Sequence, residues 1–382
     1  MKVRIRMRHA VFAALVVALS IPAAGASRTS GPPTTVGPGE GKLTMVAWQG
    51  YTEPKWVTPF EKQTGCQVQA KYAGSSDEMV ALMRSGGGGQ YDMVSASGDA
   101  SLRLIYGGDV APVNVNLVPA WKQFFKAFQS PPNNTVKGVH YGISLQFGPN
   151  ILLYNTAKEP KPTSWSVIYD PKNKGKITIP DNPIQIADAA LYLSKTQPSL
   201  GITDPYELTQ PQFNAAVALL KKQRPLVKKY WTTVSDQVDL FSSGGSTLGA
   251  SWPVMLSTLK AAHKPVSSVI PKEGATGWLD TWMVSSKAKH PNCAYKWLAY
   301  ISTAPVQAMQ ATNYGETPVN SKACSYMNKL VAGSCKQYFA NAPDSYYRSI
   351  KFWKTPLADC GNGKKDCVDY TKWVQAWTQI KG

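Results

Sequence analysis

The sequence predicts an α/β fold in which strands and helices alternate around mostly parallel, doubly wound sheets. Three observations lead to this prediction. From residue 42 onward, short β-rich runs alternate with stretches of helical period. Hydrophobic residues make up 43% of the 382 residues, so the chain can fill two cores or one large two-lobed unit. The 28 Pro and 30 Gly favour many turns and exclude a plain helical bundle.

The first elements follow in strict alternation. Strands are predicted at 42–48, 66–72 and 91–97 from their apolar or alternating residues, and helices at 52–65, 75–89 and 99–108. Gly65 and the glycines at 86–89 end the first two helices, and Ser76 is the predicted N-cap of the second.

The same patterns continue to the end of the chain. Further strands are predicted at 141–147, 151–155, 176–180, 246–252, 266–271 and 278–285. Further helices are predicted at 184–195, 212–223, 253–263, 292–302, 304–312 and 369–381.

The amino terminus is typical of a secretory signal peptide. A basic stretch at 1–9 precedes an apolar run at 10–19 and small residues at Ala24 and Ala26, so cleavage is expected after Ala26. The apolar run is shorter than the ~20 residues of a spanning helix. Residues 27–41 are rich in Ser, Thr, Gly and Pro and predict a flexible leader. The signal peptide predicts export. We expect a periplasmic location, because no cysteine suited to lipid anchoring follows the apolar run.

Six cysteines in an exported chain favour disulfides, although spacing alone leaves 15 pairings open. The short loops Cys324–Cys335 and Cys360–Cys367 are the natural local closures, and they leave Cys66 with Cys293. A zinc site would need tight Cys or His spacing, which the sequence lacks, so no metal and no cofactor are expected.

Aromatic and polar residues recur where the predicted strands end. Ligands bind beyond the carboxyl ends of strands in open α/β sheets, so these residues predict a cleft. They are Trp48, Tyr51, Ser97, Asp99, Asp181 to Gln185, Trp252, Trp278 and Asp280.

In this order the segments resemble the periplasmic solute-binding proteins of ABC importers, in the spermidine/putrescine-binding branch. The motifs that carry the resemblance are V-A-W-x-x-Y (46–51), F-E-K-x-T-G (60–65), Y-D-M-V-x-x-S (91–97), P-K-E-G-x-x-x-W-x-D (271–280) and Y-G-E-T-P-x-N (314–320). The resemblance runs from about Lys42 to the end of the chain.

The resemblance implies a two-lobed, type II periplasmic-binding-protein fold with crossings near 143–150 and 276–282. Lobe one would comprise 42–146 plus 280–322, and lobe two 147–279 plus a disulfide-stapled tail at 323–382. With these boundaries, the cysteine pairing taken from spacing needs no bridge between the lobes.

The resemblance also implies capture without chemistry, by lobe closure on a small cationic amine that a monomeric receptor delivers to a permease of the inner membrane. Aromatic rings would flank the ligand and carboxylates would anchor its ammonium groups. By position Trp48, Tyr51, Ser97, Trp252, Trp278 and Asp280 match that site, Asp99 would add an anion, and Tyr314 would form a wall.

One departure bears on the ligand. Where this branch supplies acidic residues, the sequence has Asn182 and Gln185 beside Asp181. Each lost charge-assisted hydrogen bond is worth about 1.5–3 kcal/mol. A singly charged amine or an amino-acid-like compound would therefore fit as well as a diamine.

Other functions stay open as alternatives. An anion such as phosphonate would suit Ser and amide groups, and the pair Tyr346-Tyr347 could bind ferric ion. A secreted hydrolase would need a nucleophile motif, and no G-x-S-x-G occurs. The formal charge of +18 could suggest nucleic acid, but the basic residues form no motif and export removes most such partners.

Overall fold

The computed structural model describes residues 31–360 and 363–382, so the predicted signal peptide lies outside the described residues. The strands are β1 (Lys42–Trp48), β2 (Gln67–Ala73), β3 (Met93–Ala96), β4 (Thr135–Val136), β5 (Val139–His140), β6 (Ile143–Pro149), β7 (Ile151–Asn155), β8 (Ile177–Pro180), β9 (Val227–Trp231), β10 (Leu248–Ser251), β11 (Val266–Val269), β12 (Ala275–Val284), β13 (Thr317–Pro318) and β14 (Ile350–Phe352).

Five of the helices, at 126–129, 234–242, 323–330, 334–337 and 344–349, were not predicted, and the others match predicted helices. All α-helices of the described residues follow in chain order. They are α1 (Pro54–Thr64), α2 (Ser76–Arg84), α3 (Gly98–Tyr106), α4 (Lys126–Gln129), α5 (Gln185–Thr196), α6 (Gln210–Gln223), α7 (Val234–Ser242), α8 (Pro253–Ala261), α9 (Pro291–Ile301), α10 (Ala304–Tyr314), α11 (Ala323–Leu330), α12 (Ser334–Gln337), α13 (Asp344–Ser349) and α14 (Tyr370–Lys381).

Two sheets organise the molecule, and we call each sheet with its helices a lobe. The first sheet has the order β13-β6-β12-β3-β1-β2, with β14 pairing β12, and the second has the order β11-β7-β10-β8-β9. Both sheets are mixed, which corrects the prediction of mostly parallel sheets. In each sheet a parallel βαβ unit is joined by strands that enter from the other lobe and run antiparallel to it.

Short segments connect the two sheets. The first crossing is Asn150, between β6 and β7, and the second spans 270–274, between β11 and β12. The second crossing therefore precedes the predicted 276–282, because β12 already pairs with the first sheet from Ala275. A third passage, which we did not predict, follows β14, since Trp353 and the rings of α14 pack with α5 and α6.

The tail divides between the lobes, which corrects its assignment to lobe two. Met327 of α11 packs against Ala308 and Ala311 of α10, beside the first sheet. β14 pairs with β12 in that same sheet. The segment after Phe352 continues into the second lobe, where Trp373 and Trp377 enter its core. This division follows from packing, because different apolar residues of the tail pack against the cores of different lobes.

All three disulfides predicted from spacing are confirmed. The Cα atoms are 5.8 Å apart in Cys66–Cys293, 4.9 Å in Cys324–Cys335 and 5.3 Å in Cys360–Cys367. Cys66 and Cys293 lie in the core of the first lobe, where they join the start of β2 to α9.

Two local predictions are corrected by hydrogen bonds. Ser75, and not Ser76, caps α2, because its side chain accepts the Glu78 N–H. The described part of the predicted flexible leader is held in place. Glu40 accepts the N–H groups of Asn292 and Cys293 at the start of α9, where a carboxylate suits the helix dipole.

Within the described residues, none of the helices has the length and apolar character that a membrane crossing requires.

Candidate functional site

The site is centred on Asp280, a carboxylate held inside β12. The pairing of β12 with β6 is irregular between Leu279 and Thr281, and such a bulge re-aims a side chain next to a functional site. Asp280 is only 2% exposed. Its Oδ1 accepts the Ser97 hydroxyl at 2.5 Å, and its Oδ2 accepts the Tyr51 hydroxyl. Residues that follow the ends of β1 and β3 thus converge on one carboxylate inside β12.

Burial dominates the electrostatics of this carboxylate. It raises the pKa of Asp280 to about 7, against the opposing hydrogen bonds from Ser97 and Tyr51 and with a smaller contribution from the charge of Asp99. Burial, followed by the charge of Asp280, also raises the pKa of Glu316 well above its usual range. Glu316 Oε2 is buried without a partner. The site therefore holds two buried acidic side chains, and no basic side chain among the described residues neutralises them.

Tyr51 and Tyr314 form an aromatic wall beside Asp280. Their ring centroids are 6.0 Å apart in an edge-to-face arrangement. Gly50 lies directly against the Tyr314 hydroxyl, so a Cβ there would overlap it, and the φ of Gly50 is +93°. Only glycine fits both requirements. Burial also raises the pKa of Tyr314, so its hydroxyl stays neutral.

A second group of rings comes from β12 (Trp278), from the residue before α8 in the other lobe (Trp252) and from the tail (Trp353). Trp278 and Trp353 are buried in one cluster, and Trp252 packs against it. Trp252 and Trp353 meet edge to face with centroids 6.4 Å apart. The indole N–H groups of Trp278 and Trp353 are buried without acceptors. Trp48, at the end of β1, likewise has a buried indole N–H without a partner.

Polar groups at the crossings lie next to these rings. Asp188 of α5 accepts hydrogen bonds from Asn150 and Thr276. Asn150 Oδ1 in turn accepts the Trp252 indole N–H at 3.2 Å. Gln185 faces the same carboxylate, and its contact opposes the effect of burial on the pKa of Asp188.

The structure thus brings most of the predicted residues into these two groups. Tyr51, Ser97, Asp280 and Tyr314 lie in the first group, and Trp252, Trp278 and Gln185 lie in the second. The site as a whole, with its predicted contacts to a ligand, stays a prediction.

Asp181 is a correction. Its carboxylate accepts the Lys381 ammonium at 2.7 and 2.8 Å and the Trp377 indole N–H at 2.8 Å, so it fastens α14 to the second lobe. An ion-paired carboxylate is no free anchor for a cation.

Asp99 lies behind the site. Ser76 donates to its Oδ1 at 2.8 Å, Oδ2 has no partner, and the side chain is 0% exposed. Burial raises the pKa of Asp99 despite the nearby charge of Arg103.

Three residues of the site were missed. Glu316 stood inside the motif at 314–320 but was not selected. Asp188 follows Gln185 by three residues and therefore lies near it on α5, a spacing that could have suggested it. Trp353 had no signal, because its place depends on the tail returning between the lobes.

The charge balance is the most informative property of the site. Among residues 31–360 and 363–382, the ion pairs involve other carboxylates, and none joins Asp280, Glu316 or Asp188 to a basic side chain. The same part of the chain contains no cluster of His, Cys, Asp and Glu that could hold a metal ion. Tyr346 and Tyr347 instead pack among the aromatic rings of the first lobe.

A cavity of about 280 Å³ lies beside this region, lined by Asn133, Tyr206 and Trp353 among others. Asp280 does not line it. We place the site at Asp280, because a buried carboxylate without a basic partner among the described residues indicates the charge of a ligand. The volume of a cavity gives no such information.

Comparison with known proteins agrees with this picture. Residues 55–332 match the model of the family described as bacterial extracellular solute-binding protein. The chain is 24% identical over 360 residues to a putrescine/cadaverine-binding protein of Pseudomonas aeruginosa, covering 89% of this chain and 93% of the relative. It is 25% identical over 301 residues to the spermidine/putrescine-binding periplasmic protein of Escherichia coli, covering 78% and 82%.

Solved structures show the same fold. A putative spermidine/putrescine ABC transporter protein from Listeria monocytogenes matches with a TM-score of 0.74 at 19% identity, covering 89% of this chain and 99% of that one. A periplasmic binding protein of Agrobacterium tumefaciens in complex with glucopine matches with a TM-score of 0.70 at 17% identity, covering 89% and 100%. The predicted type II periplasmic-binding-protein fold is therefore confirmed, and the chain belongs to the family of bacterial extracellular solute-binding proteins.

Proposed function

We propose that this protein captures a small cationic amine of the polyamine class and delivers it to the permease of an ABC importer. The observation that carries the proposal is the pair of buried carboxylates at Asp280 and Glu316, which have no basic partner among the described residues and lie beside aromatic rings. An ammonium group would supply the missing positive charge, and its alkyl chain would pack on the rings. The names of the curated relatives support this ligand class.

Capture needs no chemical step, so the protein acts as a receptor and not as a catalyst. Closure would bring the two groups of residues around the ligand. Contacts between first-lobe helices and the start of α14 support a closed form. The Arg103 guanidinium lies 4.1 Å from the centre of the Tyr370 ring, and the Tyr370 hydroxyl donates to Asp77 at 3.1 Å.

A zwitterionic, amino-acid-like compound is the second candidate. The indole N–H groups of Trp278 and Trp353 are buried donors that have no acceptor among the described residues. A ligand that also carries a carboxylate or carbonyl group would satisfy them, whereas a simple diamine would not. A purely anionic ligand is disfavoured, because the buried carboxylates would repel it.

We propose a periplasmic, monomeric receptor that is exported by the segment at 1–26. The relatives that are named as periplasmic support this location.

The ligand class can be tested with the purified mature chain. We expect putrescine, cadaverine or spermidine to raise the melting temperature by several degrees, because ligand binding stabilises the folded state by mass action. The panel should also contain γ-aminobutyrate, basic amino acids, phosphonates and ferric citrate, and calorimetry should follow each hit. Stabilisation by anions alone would contradict the proposal, and stabilisation by γ-aminobutyrate alone would favour the second candidate.

Affinity for the amine is expected to rise with pH through the range in which Asp280 titrates, up to about 7. The pKa of Asp280 is raised to about 7, so below that pH the cation must displace a proton. Each released proton changes the dissociation constant about tenfold per pH unit. Calorimetry between pH 5.5 and 8.5, in buffers that differ in ionisation enthalpy, would show proton release at the low end. A flat affinity over this range would contradict a buried carboxyl anchor.

The stability of the ligand-free protein should change in the opposite direction. An unfolded aspartic acid titrates near about 3.9. Between that pH and about 7, the folded protein retains the Asp280 proton that the unfolded chain has lost. The free energy of unfolding should therefore fall as the pH rises through this window.

A further inference from the structure

Asp188 occupies the place where the two lobes join. Asn150 is the single residue between β6 of the first sheet and β7 of the second. Its backbone N–H donates to the carbonyl of Thr276 at 2.8 Å, so the first crossing is bonded to the start of β12, directly after the second crossing. Asn150 and Thr276 are each 1% exposed. The hinge is thus a short, buried contact between two extended segments.

The side chains of this contact converge on one carboxylate. Asn150 Nδ2 lies 3.3 and 3.2 Å from the two carboxylate oxygens of Asp188, and 2.8 Å from Thr276 Oγ1. The Thr276 hydroxyl donates to Asp188 Oδ1. Asp188 belongs to α5, so its carboxylate connects a helix of the second lobe to both segments of the hinge.

The network also reaches the candidate site. The remaining oxygen of Asn150, Oδ1, accepts the Trp252 indole N–H at 3.2 Å. The orientation of the Asn150 amide is fixed by Asp188, because only the Nδ2 side can donate to a carboxylate. The amide must therefore present its oxygen to the indole.

We propose that Asp188 is a positioning residue of the hinge. Its carboxylate fastens both segments to α5 and, by orienting the Asn150 amide, sets the place of the Trp252 indole. The part that concerns Trp252 as a ligand wall rests on the proposed function, whereas the part that concerns the hinge does not.

A carboxylate that contributed only to general stability would behave differently from a positioning residue of the hinge. Asp188 has no basic partner among the described residues, and burial raises its pKa to about 7. Asp181, also in the second lobe, is paired with Lys381 and holds α14. If Asp188 served only general stability, its loss would resemble the loss of Asp181.

Hydrogen exchange of the ligand-free mature chain tests the hinge. In Asp188→Asn, the side chain keeps one acceptor oxygen and turns an N–H₂ group toward the donating amide of Asn150, so peptides covering 147–152 and 274–279 should exchange about tenfold faster or more. The matched control Asp181→Asn should accelerate exchange at 370–382 and leave the hinge peptides unchanged. Thr276→Val removes one bond to the same carboxylate and should reproduce the hinge effect if Asp188→Asn fails to fold. Unchanged exchange at the hinge in Thr276→Val or Asp188→Asn would overturn the proposal.

Binding of putrescine tests the connection to Trp252. Asp188→Asn is expected to weaken binding about tenfold, and Trp252→Phe, which removes the indole N–H, should weaken it by a similar factor. The double variant should be little weaker than either single variant, because both changes break one chain of bonds. Multiplying losses would overturn the connection. If the wild-type chain binds no amine, the proposed function fails, while the exchange measurement still decides the hinge.

Discussion

Replacing Asp280 with asparagine is expected to weaken amine binding by two orders of magnitude or more. The change removes the buried charge but keeps the size of the side chain and an acceptor for Ser97 or Tyr51. Loss of one partner of a desolvated charge pair costs about 2–5 kcal/mol, and each 1.4 kcal/mol is about tenfold in the dissociation constant. Titration calorimetry at pH 8 with the tightest amine of the panel would measure the effect.

Asp92 offers a matched control for this variant. It is another carboxylate of the first lobe, also 2% exposed, and it is held by Thr44 and His290. Asp92→Asn should lower the melting temperature and leave the affinity for the amine within about twofold of the wild-type value. The substitution changes contacts of the first lobe that lie outside the binding site. Equal losses in the two variants would mean that Asp280 acts only through stability.

Asp280→Asn should also raise the melting temperature of the ligand-free protein at pH 8. The folded state then no longer has to bury a charge at that pH. A variant that loses binding and gains stability is the expected behaviour of a residue maintained for function. A protein that is less stable and binds normally would place the ligand elsewhere.

Among the three disulfides, removal of Cys66–Cys293 is expected to cause the largest loss in the free energy of unfolding. The bridge closes a loop with a sequence separation of 227 residues, and both cysteines are 0% exposed. The loss of loop-closure entropy from the unfolded chain predicts a cost of about 5 kcal/mol for the double Cys→Ala variant. Urea unfolding of the oxidised mature chain, followed by fluorescence, would measure it.

The Cys324–Cys335 bridge is the comparison for this experiment, with a sequence separation of 11. By the same argument its removal costs about 3 kcal/mol. Removal of this bridge should therefore lower the free energy of unfolding less than removal of the Cys66–Cys293 bridge does. The reverse order would show that strain or residual structure, and not loop entropy, sets the contribution of these bridges.

The candidate site shows how far local patterns reach. Tyr51, Ser97 and Asp280 were selected because each lies at or near a predicted strand, and they converge in the structure. Asp181 was selected by the same reasoning and was wrong, because Lys381, 200 residues away, neutralises it. Nothing near Asp181 in the sequence signals that partner.

The tail shows a second limit. Its short disulfides were predicted from spacing, and its final helix was predicted from its apolar period. Its division between the lobes was not predicted, because packing on α10 or on α6 depends on which apolar faces remain uncovered. For the same reason Trp353 could not be placed in the site.

The sequence by itself determined most of the alternation of strands and helices and the resemblance to the family, and it favoured the disulfide pairing that the structure has, because all three follow from patterns along the chain. The tertiary structure alone decided which carboxylates stay without a basic partner. In the part of the chain that the structure describes, Asp280 and Glu316 have no basic partner, whereas Asp181 is paired with Lys381. Burial and the approach of distant side chains control that outcome, and both arise only when segments far apart in the sequence pack together.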